Sequence, residues 1–534
     1  MDRFSRSGIP LKHYYGPEDS GDAKAGGVPP PGEYPYARGR QGQARPAGSW
    51  IQRELSGEGD PARSNSQIKY LLSKGQAGID VIGDSPTMAM LDPDHPLAAH
   101  AVGTQGVSLC CLDDYLELFK GIPLESISVS SSLPPIFGLT GLYLAARRAG
   151  INPAKLRGSV LQAPFYAEDC GYAAHMPFAL RVRLSADVIQ FCSVQMPKFH
   201  SFVEDTYFIS ESGLTAVEEI ALGFVEIRYL VRELLRRGVN IDTFAPRIAI
   251  LVNCGMDFFG EIAKIRATRS IFAKMMKEEF GAKDPRSWSV VITCHTSGLA
   301  LTAQQPFNNI VRGAIQALAL VLGGVQAMEI SAFDEAYRTP SRESHLVGLR
   351  TQQVIELETG VTSVVDPLGG SYYLEFLTAE LESKIMGMIR EIEARQDPAA
   401  LSDSGYFRGI FQRAMERYAR GVSEGTVRVV GVNAHQLSPG EDTLLKEVAE
   451  RKISPCRDRV VKIKNLKENR NSGQVKKALT SLYSQAQSRE GNLVPAVLEA
   501  TEASATMGEM AGALRLAYGF SYDPHGMVNP WWKE

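Results

Sequence analysis

Three consecutive segments decide the fold class: RIAILVN (residues 247–253), FGEIAKIRATRSIFAKMMKEEFG (259–281) and SVVITC (289–294). The first and third are short runs rich in β-branched residues, and the second is a long amphipathic stretch. They therefore predict a strand, a helix and a second strand. Because a helical crossover joins strands that run parallel in one sheet, this stretch predicts an α/β protein.

The same alternation extends in both directions, from about residue 65 to about residue 375. Amphipathic stretches such as EIALGFVEIRYLVRELLRRG separate the remaining apolar runs. Further strands are predicted at Ile79–Ile82, Ser126–Ser131, Ser159–Gln162, His200–Thr206, Gln326–Ser331 and Thr362–Asp366. Eight strand–helix units over about 300 residues fit a (β/α)8 TIM barrel. An open doubly wound sheet is the alternative, although no GxGxxG opens a helix after these strands.

The two ends of the chain differ in composition from this central region. Residues 1–50 are rich in Gly, Pro, Arg and Tyr, so they are expected to form an extended arm and not a core. Residues 51–390 form the predicted barrel. Residues 391–534 contain helical patterns and a basic, polar stretch, RVVKIKNLKENRNSGQVKK, and are expected to be a helical extension used for docking.

Composition excludes several classes of function. The net charge of −3 gives no electrostatic reason to bind nucleic acid or an anionic membrane. The seven cysteines are scattered without a CxxC pair and the nine histidines are dispersed, so we expect reduced thiols and no metal ligated by the protein. The N-terminus lacks an apolar signal core. A cytoplasmic location is therefore expected.

One predicted strand carries an unusual row of small polar side chains. In ISVSSS, the two-residue period of a strand puts Ser128, Ser130 and Ser132 on one face and Ile127 and Val129 on the other. Barrel interiors are normally filled with bulky branched residues, so serines facing inward would leave a channel lined with hydrogen-bonding groups. An edge strand with its serines in solvent is an equal alternative.

Seven sequence blocks, in this order, resemble the methylmalonyl-CoA mutase family: GIPLESISVS, QMPKFHS, IDTFAPR, GMDFFGEIAKIRATR, TSGLALTAQQPFNNIVR, GGVQAMEISAFDEA and DPLGGSYYLE. The resemblance implies a (β/α)8 barrel through which the pantetheine arm of coenzyme A passes, which favours the inward serines. It also implies adenosylcobalamin at the carboxyl ends of the strands. The adenosyl radical abstracts a substrate hydrogen, and the acyl radical then rearranges by a 1,2 shift.

The cobalamin domain of this family is marked by DxHxxG. The nearest string, Asp523-Pro-His525-Gly526, lacks the spacing to the second glycine, and only eight residues follow it. The chain is therefore expected to lack a cobalamin-binding domain and to resemble the large subunit of split mutases, in which a separate small subunit ligates adenosylcobalamin. A heterotetramer of large and small subunits is expected. A fragment of a fused enzyme is the alternative, which the apolar ending MVNPWWKE disfavours.

The resemblance assigns several residues to the cofactor and substrate sites. Gln326 and Glu335 stand where the family keeps a Gln and a Glu that bind the adenosyl ribose, and Ser331 lies in the same block. Strand-end capping is the alternative role of the first two. Tyr207 matches an active-site tyrosine beside the thioester, and Gln162 matches a pocket glutamine.

Two further matches concern the coenzyme A part of the substrate. Arg247 matches an arginine that the family uses around the CoA moiety. Ser130 and Ser132 fall in the stretch that contacts the acyl–pantetheine portion.

Departures from the family concern the acyl pocket. Leu55 replaces the tyrosine that lies between substrate and corrin, and Phe208 replaces a histidine that follows the Tyr207 position. The motif HCQTSG becomes TCHTSG, so that His295, two residues after Thr293, could restore a hydrogen-bond donor near the ligand. These changes make the pocket less polar than that of the methylmalonyl enzyme.

The binding of the substrate carboxylate also changes. The arginine that holds the carboxylate of methylmalonyl-CoA aligns near Tyr172, and Arg181 or Arg183 could replace it. A buried carboxylate without a cation would be costly. Asp80 stands where the family usually has a small residue. It could accept a hydrogen bond from a substrate hydroxyl or amine, although a solvated strand-end aspartate is the preferred interpretation.

Together these patterns predict a mutase subunit that rearranges a bulky or apolar acyl-CoA and is active only with a separate B12-binding small subunit. One alternative is a subunit of a methylmalonyl-CoA/succinyl-CoA mutase. The other is a non-catalytic homologue that binds CoA esters. Retention of Gln326 and Glu335 argues against the second, since a non-catalytic protein has no use for a ribose site.

Overall fold

The structure is a computed structural model that describes residues 3–13, 15–19, 28–44, 48–166, 176–438, 440–442 and 454–533. The strands are β1 (Arg3–Phe4), β2 (Pro10–Leu11), β3 (Ile51–Arg53), β4 (Leu55–Ser56), β5 (Gly78–Ile82), β6 (Ser128–Ser132), β7 (Arg157–Gln162), β8 (Phe199–Asp205), β9 (Ile248–Cys254), β10 (Val291–Thr296) and β11 (Ala327–Glu329).

The α-helices are α1 (Pro61–Ser73), α2 (Ser85–Met88), α3 (Leu112–Leu118), α4 (Pro135–Arg148), α5 (Phe178–Gln195), α6 (Thr206–Ser210), α7 (Ala216–Arg236), α8 (Ile241–Phe244), α9 (Phe258–Lys274), α10 (Asn308–Gly323), α11 (Arg342–Glu358), α12 (Tyr372–Arg395), α13 (Pro398–Asp403), α14 (Tyr406–Ser423), α15 (Arg457–Asn469), α16 (Ser472–Ser488), α17 (Val494–Glu502) and α18 (Met507–Ala517). Among the described residues, no helix combines the length and the hydropathy that crossing a bilayer requires.

Strands β3 to β11 form a nine-stranded sheet in the order β3-β11-β10-β9-β8-β7-β6-β5-β4. The pairings are parallel, as in β5 with β6 and β9 with β10. β3 and β4 are consecutive pieces of one segment, so the strand order begins and ends within residues 51–56. Helices follow the strands along the chain. The predicted α/β class and the (β/α)8 barrel are confirmed, as is the helical C-terminal region.

One predicted strand is wrong and one was missed. Thr362–Asp366 forms turns and bends between α11 and α12, where the Asp366 carboxylate binds the guanidinium groups of Arg38 and Arg266. The sheet instead uses IQRELS (51–56), whose polar side chains hid it from a search for apolar runs. Gln52 there donates a hydrogen bond to Glu356 of α11 at 2.6 Å, which lets a polar strand be buried.

The chain divides into two compact units: Met1–Glu54 with Glu204–Arg451, and Leu55–Val203 with Lys452–Glu534. In the first unit, the helices α7, α9 and α12 pack together. In the second, α1, α3, α4 and α5 share a hydrophobic core with the C-terminal helices α15 to α18. The predicted domain boundaries at residues 50 and 390 remain a prediction.

A buried pair of carboxyl groups lies in the first unit, at Glu204 on β8 and Glu226 on α7. Both residues are fully buried. Burial, followed by the neighbouring charges of Glu226 and Asp205, raises the pKa of Glu204 well above its usual value. The folded protein therefore retains a proton that the unfolded chain releases, and stability falls as the pH rises from the unfolded pKa to the folded pKa.

Substitution of Glu204 by glutamine should remove this pH dependence because glutamine has the same shape and no ionisable proton. Above the unfolded-state pKa of about 4.3, and until the raised folded-state pKa is reached, wild type should lose stability relative to Glu204→Gln by up to about 1.4 kcal/mol per pH unit. Urea denaturation at several pH values measures this difference. The exposed substitution Glu424→Gln is the control and should follow wild type. Parallel curves for wild type and Glu204→Gln would contradict the prediction.

Candidate active site

Strands β5, β6 and β7 of the second unit carry a row of polar side chains on one face. The register pairs Asp80 with Ser130 and Ser130 with Ser159. The hydroxyl groups of Ser130 and Ser159 lie 2.8 Å apart, and Ser132 donates a hydrogen bond to Asp80 Oδ1 at 3.0 Å. The alternate residues of these strands, such as Val129, belong to the core formed with the helices. This polar row therefore faces away from the helices, and the edge-strand alternative is wrong because β6 is paired on both sides.

Asp80 lies at the centre of this row. The preferred interpretation of a solvated strand-end aspartate is wrong, because Asp80 is in the middle of β5 and only 2% exposed. Its register partner on β4 is Leu55, which is half-buried. A carboxylate only accepts hydrogen bonds. In this row of serine side chains, Asp80 therefore suits a ligand that donates a hydrogen bond through a hydroxyl or amine group. The arrangement offers one apolar and one strongly polar side chain next to each other.

Gln162 is not brought into the polar row. It lies two residues after Val160, on the opposite set of β7 side chains from Ser159, and its amide donates a hydrogen bond to the carbonyl of Ser201 at 3.0 Å. The side chain is fully buried. The geometry therefore does not support its predicted catalytic role. It fits a structural role instead, in which the Gln162 side chain links two neighbouring strands.

The arginines considered for a substrate carboxylate are both on α5. The guanidinium of Arg183 donates hydrogen bonds to the carbonyls of Ala486 and Glu490 at 2.9 and 2.8 Å, so it is committed to the C-terminal helices. Arg181 lies over the ring of Phe178 at 5.7 Å. Arg183 is therefore engaged by the backbone of the C-terminal region, and a substrate-binding role for Arg181 or Arg183 remains a prediction. Tyr172 lies outside the described residues.

In the first unit, the side chains of Tyr207, His295 and Glu329 come together at the carboxyl ends of the strands. His295 on β10 is the register partner of Glu329 on β11, and its Nε2 lies 3.3 Å from Glu329 Oε2. The ring of Tyr207 lies 4.7 Å from the His295 ring. Thr293 precedes His295 by two residues on the same side of β10. The structure thus brings the two candidate residues Tyr207 and His295 together, and adds Glu329.

Glu329 and Glu211 are site residues that the sequence did not reveal. Glu329 stands in the apolar run AMEIS, where no pattern marks it as a partner of His295. The carboxylate of Glu211 accepts hydrogen bonds from Asn253, Ser297 and the N–H of Leu299. Burial raises the pKa of Glu211, while these donors oppose that shift. Glu211 therefore holds the TSG loop that follows His295.

Phe208 follows Tyr207 on α6 and is half-buried. Its backbone N–H donates a hydrogen bond to Asp205, which caps this short helix. The helix thereby holds the two neighbouring aromatic side chains at the end of β8. Phe208 makes this end of β8 apolar, and its role in the substrate pocket remains a prediction.

Further acidic groups surround the strand ends. Burial, followed by the charge of Glu329, raises the pKa of Glu54 well above its usual value, although Gln352 donates a hydrogen bond to Glu54 at 3.1 Å. Burial lowers the pKa of His345 to about 4, so this histidine is neutral at physiological pH. The first unit therefore gathers carboxyl groups whose pKa values are raised by burial.

Two predicted residues lie at the amino ends of their strands instead. Gln326 precedes β11: its Oε1 accepts from the N–H of Ile292 at 2.9 Å and its Nε2 donates to the carbonyl of Gly324 at 2.7 Å. Arg247 precedes β9, where burial and then the nearby Arg286 lower its pKa. The guanidinium of Arg286 is itself paired with the Asp284 carboxylate at 2.6 Å, so the positive charge at this end of the strands comes chiefly from Arg247.

Comparison with known proteins identifies the family. The family model described as methylmalonyl-CoA mutase matches residues 4–520. This chain belongs to that family. It is 34% identical over 515 residues to the 2-hydroxyisobutanoyl-CoA mutase large subunit of Aquincola tertiaricarbonis, covering 96% of this chain and 91% of that protein. It is 35% identical over 518 residues to the methylmalonyl-CoA mutase of Rhizobium meliloti, covering 96% and 72%.

Membership of the methylmalonyl-CoA mutase family makes this chain an acyl-CoA mutase, an isomerase, and cobalamin is typical of the family. Glu335 follows β11, and its Oε2 accepts from the N–H of Ala332 at 3.0 Å. Burial raises the pKa of Glu335 to about 7, while the charge of His295 opposes the shift. A half-buried carboxyl at the strand ends fits a sugar hydroxyl as donor. Ser331 nearby donates to the carbonyl of Thr296 at 2.7 Å.

The structure separates the two predicted ribose ligands. Gln326 lies before β11 and Glu335 lies beyond its carboxyl end, so the length of the strand stands between them. The strand-end capping alternative fits Gln326, whose amide is engaged with the backbone at both ends. Glu335 alone of the pair remains a candidate for the cofactor.

Proposed function

We propose that this chain is the large subunit of an adenosylcobalamin-dependent mutase that rearranges a branched acyl-CoA carrying a hydroxyl group on the acyl chain. The single observation that carries the proposal is Asp80, a buried carboxylate in a row of serine hydroxyls. The apolar side chain of its register partner, Leu55, is suited to a branched alkyl group.

The electrostatics of the second unit disfavour a dicarboxylate such as methylmalonyl-CoA. A substrate carboxylate beside Asp80 would bring two carboxyl groups together in a buried site, where both cannot be ionised without a cation. Arg183, which was considered as a counter-ion, is bound to backbone carbonyls of the C-terminal helices. A hydroxyl group, in contrast, donates a hydrogen bond to Asp80 and requires no cation.

The coenzyme A part of the substrate is assigned to the polar row and to the amino ends of the strands. Ser130 and Ser132 provide hydroxyl groups for the amide-rich pantetheine arm. Arg247, half-buried beside Arg286, provides positive charge for the phosphates at the amino end of β9. Thr293, which lies on the same side of β10 as His295, is assigned to contact the substrate.

The remaining residues of the first unit position the reacting groups. His295, held by Glu329 and packed against Tyr207, is assigned to orient the thioester carbonyl by a hydrogen bond. Glu335 is assigned to hold the ribose of the adenosyl group. When bound, the cofactor supplies the radical that starts the rearrangement.

A separate small subunit is proposed to carry the cobalamin. The support is the printed description of the relative as a large subunit, together with the 91% of that protein that the match covers. The match to the methylmalonyl-CoA mutase of Rhizobium meliloti covers 72% of that longer protein.

The test is a comparison of acyl-CoA substrates by the reconstituted enzyme. The chain is combined with its small subunit and adenosylcobalamin, and kcat/KM is measured for 2-hydroxyisobutanoyl-CoA, isobutanoyl-CoA, methylmalonyl-CoA and succinyl-CoA. We expect the hydroxylated substrate to exceed methylmalonyl-CoA by at least about a hundredfold. If methylmalonyl-CoA or succinyl-CoA is the best substrate, the assignment of Asp80 is wrong. Omission of the small subunit should abolish turnover.

A further inference from the structure

Helix α9 carries a buried lysine, Lys264, whose charge is paired. Its side chain is 1% exposed, and its ammonium group donates to the carboxylate of Glu219 on α7 at 2.8 Å and to the carbonyl of Asn253 on β9 at 2.7 Å. The carboxylate of Glu261, one turn earlier on α9, lies 2.6 Å from the same ammonium group. Burial lowers the pKa of Lys264, but the charges of Glu219 and Glu261 outweigh burial and raise it above its ordinary value.

A buried ion pair of this kind is weak evidence of a role in stability. The removal of two charges from water costs about as much free energy as their attraction returns, and packed apolar side chains of similar volume are often as stable. The lysine and its partner must therefore be judged by the groups that they bind and hold in place.

Glu219 is bound to both ends of α6. The hydroxyl of Thr206, the first residue of α6, is shared between Glu219 Oε1 at 3.1 Å and the carbonyl of Leu251 at 2.9 Å. The hydroxyl of Ser210, the last residue, donates to Glu219 Oε2 at 3.3 Å. Because α6 is little more than one turn long, these contacts hold the whole helix, which carries Tyr207.

The same ion pair binds the backbone at the end of β9. The N–H of Asn253 donates to Glu219 Oε1 at 2.9 Å, and its carbonyl accepts from Lys264. The Asn253 side chain donates at 2.8 Å to Glu211, the carboxylate that holds the TSG loop. Asn253 is also the register partner of His295 on β10. Lys264 and Glu219 therefore bind the strand next to His295 as well as α6.

We propose that the Lys264–Glu219 ion pair is a positioning element for the mutase reaction. It holds Tyr207 and His295 in their ring contact, with 4.7 Å between the centroids, at the thioester carbonyl. The side chains of the pair are 1% and 2% exposed, so they act through these two rings and not by contact with the substrate. The inference rests on the proposed role of His295 at the thioester and is independent of which acyl group the enzyme rearranges.

Loss of the Lys264 ammonium group should displace both rings. Lys264→Met leaves the carbonyl of Asn253 without this donor and leaves the carboxylates of Glu219 and Glu261 without their shared cation. The two carboxyl groups then repel each other or take up a proton, and either change alters the contacts of Glu219 with α6 and β9. A displacement of about 1 Å at reacting groups costs about a hundredfold in rate. Binding of the coenzyme A part, which is assigned to other residues, should change little.

The test is steady-state kinetics of the chain reconstituted with its small subunit and adenosylcobalamin, using whichever of the four acyl-CoA substrates wild type turns over best. Lys264→Met should lower kcat at least about thirtyfold while KM stays within about threefold of wild type. Arg266→Met is the matched control, because Arg266 lies on the same helix, is also 1% exposed and binds two carboxylates, those of Asp366 and Glu375. It should lower the melting temperature but leave kcat within about threefold of wild type.

Two further variants test whether the pair acts through the aromatic rings. In a Tyr207→Ala enzyme, Lys264→Met should lower kcat by less than about fivefold more, because the ring that it positions is absent. Thr206→Val removes only the hydroxyl shared with Glu219 and keeps the ion pair. It should lower kcat about tenfold with unchanged KM, and it carries the test if Lys264→Met does not accumulate as folded protein.

The inference is wrong if kcat of Lys264→Met stays within about threefold of wild type, or if Arg266→Met lowers kcat as much. It is also wrong if the losses in Lys264→Met and Tyr207→Ala multiply, or if Thr206→Val has the kcat of wild type. A wild type that prefers methylmalonyl-CoA or succinyl-CoA overturns the proposed substrate and leaves this inference standing, so the two fail separately. A chain that turns over none of the four substrates overturns both.

Discussion

Replacement of Asp80 by alanine is expected to lower kcat/KM for 2-hydroxyisobutanoyl-CoA at least a hundredfold, while kcat/KM for isobutanoyl-CoA stays within about tenfold of wild type. The hydroxyl of the first substrate would lose a hydrogen bond to a charged acceptor, and charged hydrogen bonds are among the strong ones. The second substrate has no hydroxyl to lose. The measurement is a pair of specificity constants for each enzyme, from steady-state kinetics with saturating small subunit and adenosylcobalamin.

Two variants separate binding of the substrate from support of the polar row. Asp80→Asn retains an oxygen that can accept from Ser132, so the local structure should survive while the charge is lost. It should show a smaller loss for the hydroxylated substrate than alanine. Ser132→Ala removes the donor and leaves the carboxylate, and should affect both substrates equally. If Asp80→Ala also lowers kcat/KM equally for both substrates, Asp80 is structural and the proposed substrate class loses its support.

Sequence periodicity was sufficient for most of the fold because both strands and helices here follow strong local patterns. RIAILVN and SVVITC became β9 and β10, with α9 between them, as predicted. The wrong strand and the missed strand have the same cause, because local composition does not reveal tertiary contacts. Thr362–Asp366 has β-branched residues, but Asp366 is engaged by two arginines. The polar segment 51–56 is a strand because its partners lie on α11.

The site was only partly accessible from the sequence for a different reason. Motif matching identified Tyr207 and His295, which the structure brings within ring contact. It did not identify Glu329, because the register of β10 and β11 pairs residues 34 positions apart and no local pattern encodes that pairing. Register also determines the environment of Asp80. Its burial follows from a central position in β5 and not from its residue type.

Gln162 and Gln326 show the limit of matching one residue at a time. A match to a family motif places a residue in a segment of the sequence. The contacts of its side chain depend on which face of the strand it occupies and on which end of the strand it lies. Gln162 lies on the face opposite to Ser159, and Gln326 lies at the amino end of β11. A shift of one residue exchanges the two faces of a strand, so an insertion in an alignment is enough to change the assignment.

The largest effect on the fold is expected for Gly158→Ala, at the start of β7. Gly158 has φ of 151°, and an added Cβ would lie 1.9 Å from the carbonyl oxygen of Val129. Because that oxygen belongs to the backbone of the paired strand β6, neither a rotamer change nor a side-chain shift relieves the clash. The strands would have to separate, which would also open the contact between Ser130 and Ser159.

We expect Gly158→Ala to lower the free energy of unfolding by about 4 kcal/mol or more, or to prevent accumulation of soluble protein. Thermal and urea denaturation measure the loss. Gly150→Ala is the matched control, because Gly150 also has positive φ, 77°, but nothing lies within 4 Å of its added Cβ. That variant should lose only about 1 kcal/mol from backbone strain. Equal stability of the two variants would mean that β6 and β7 are not in the close register that forms the polar row, and the placement of Ser130, Ser159 and Asp80 on one face would have to be abandoned.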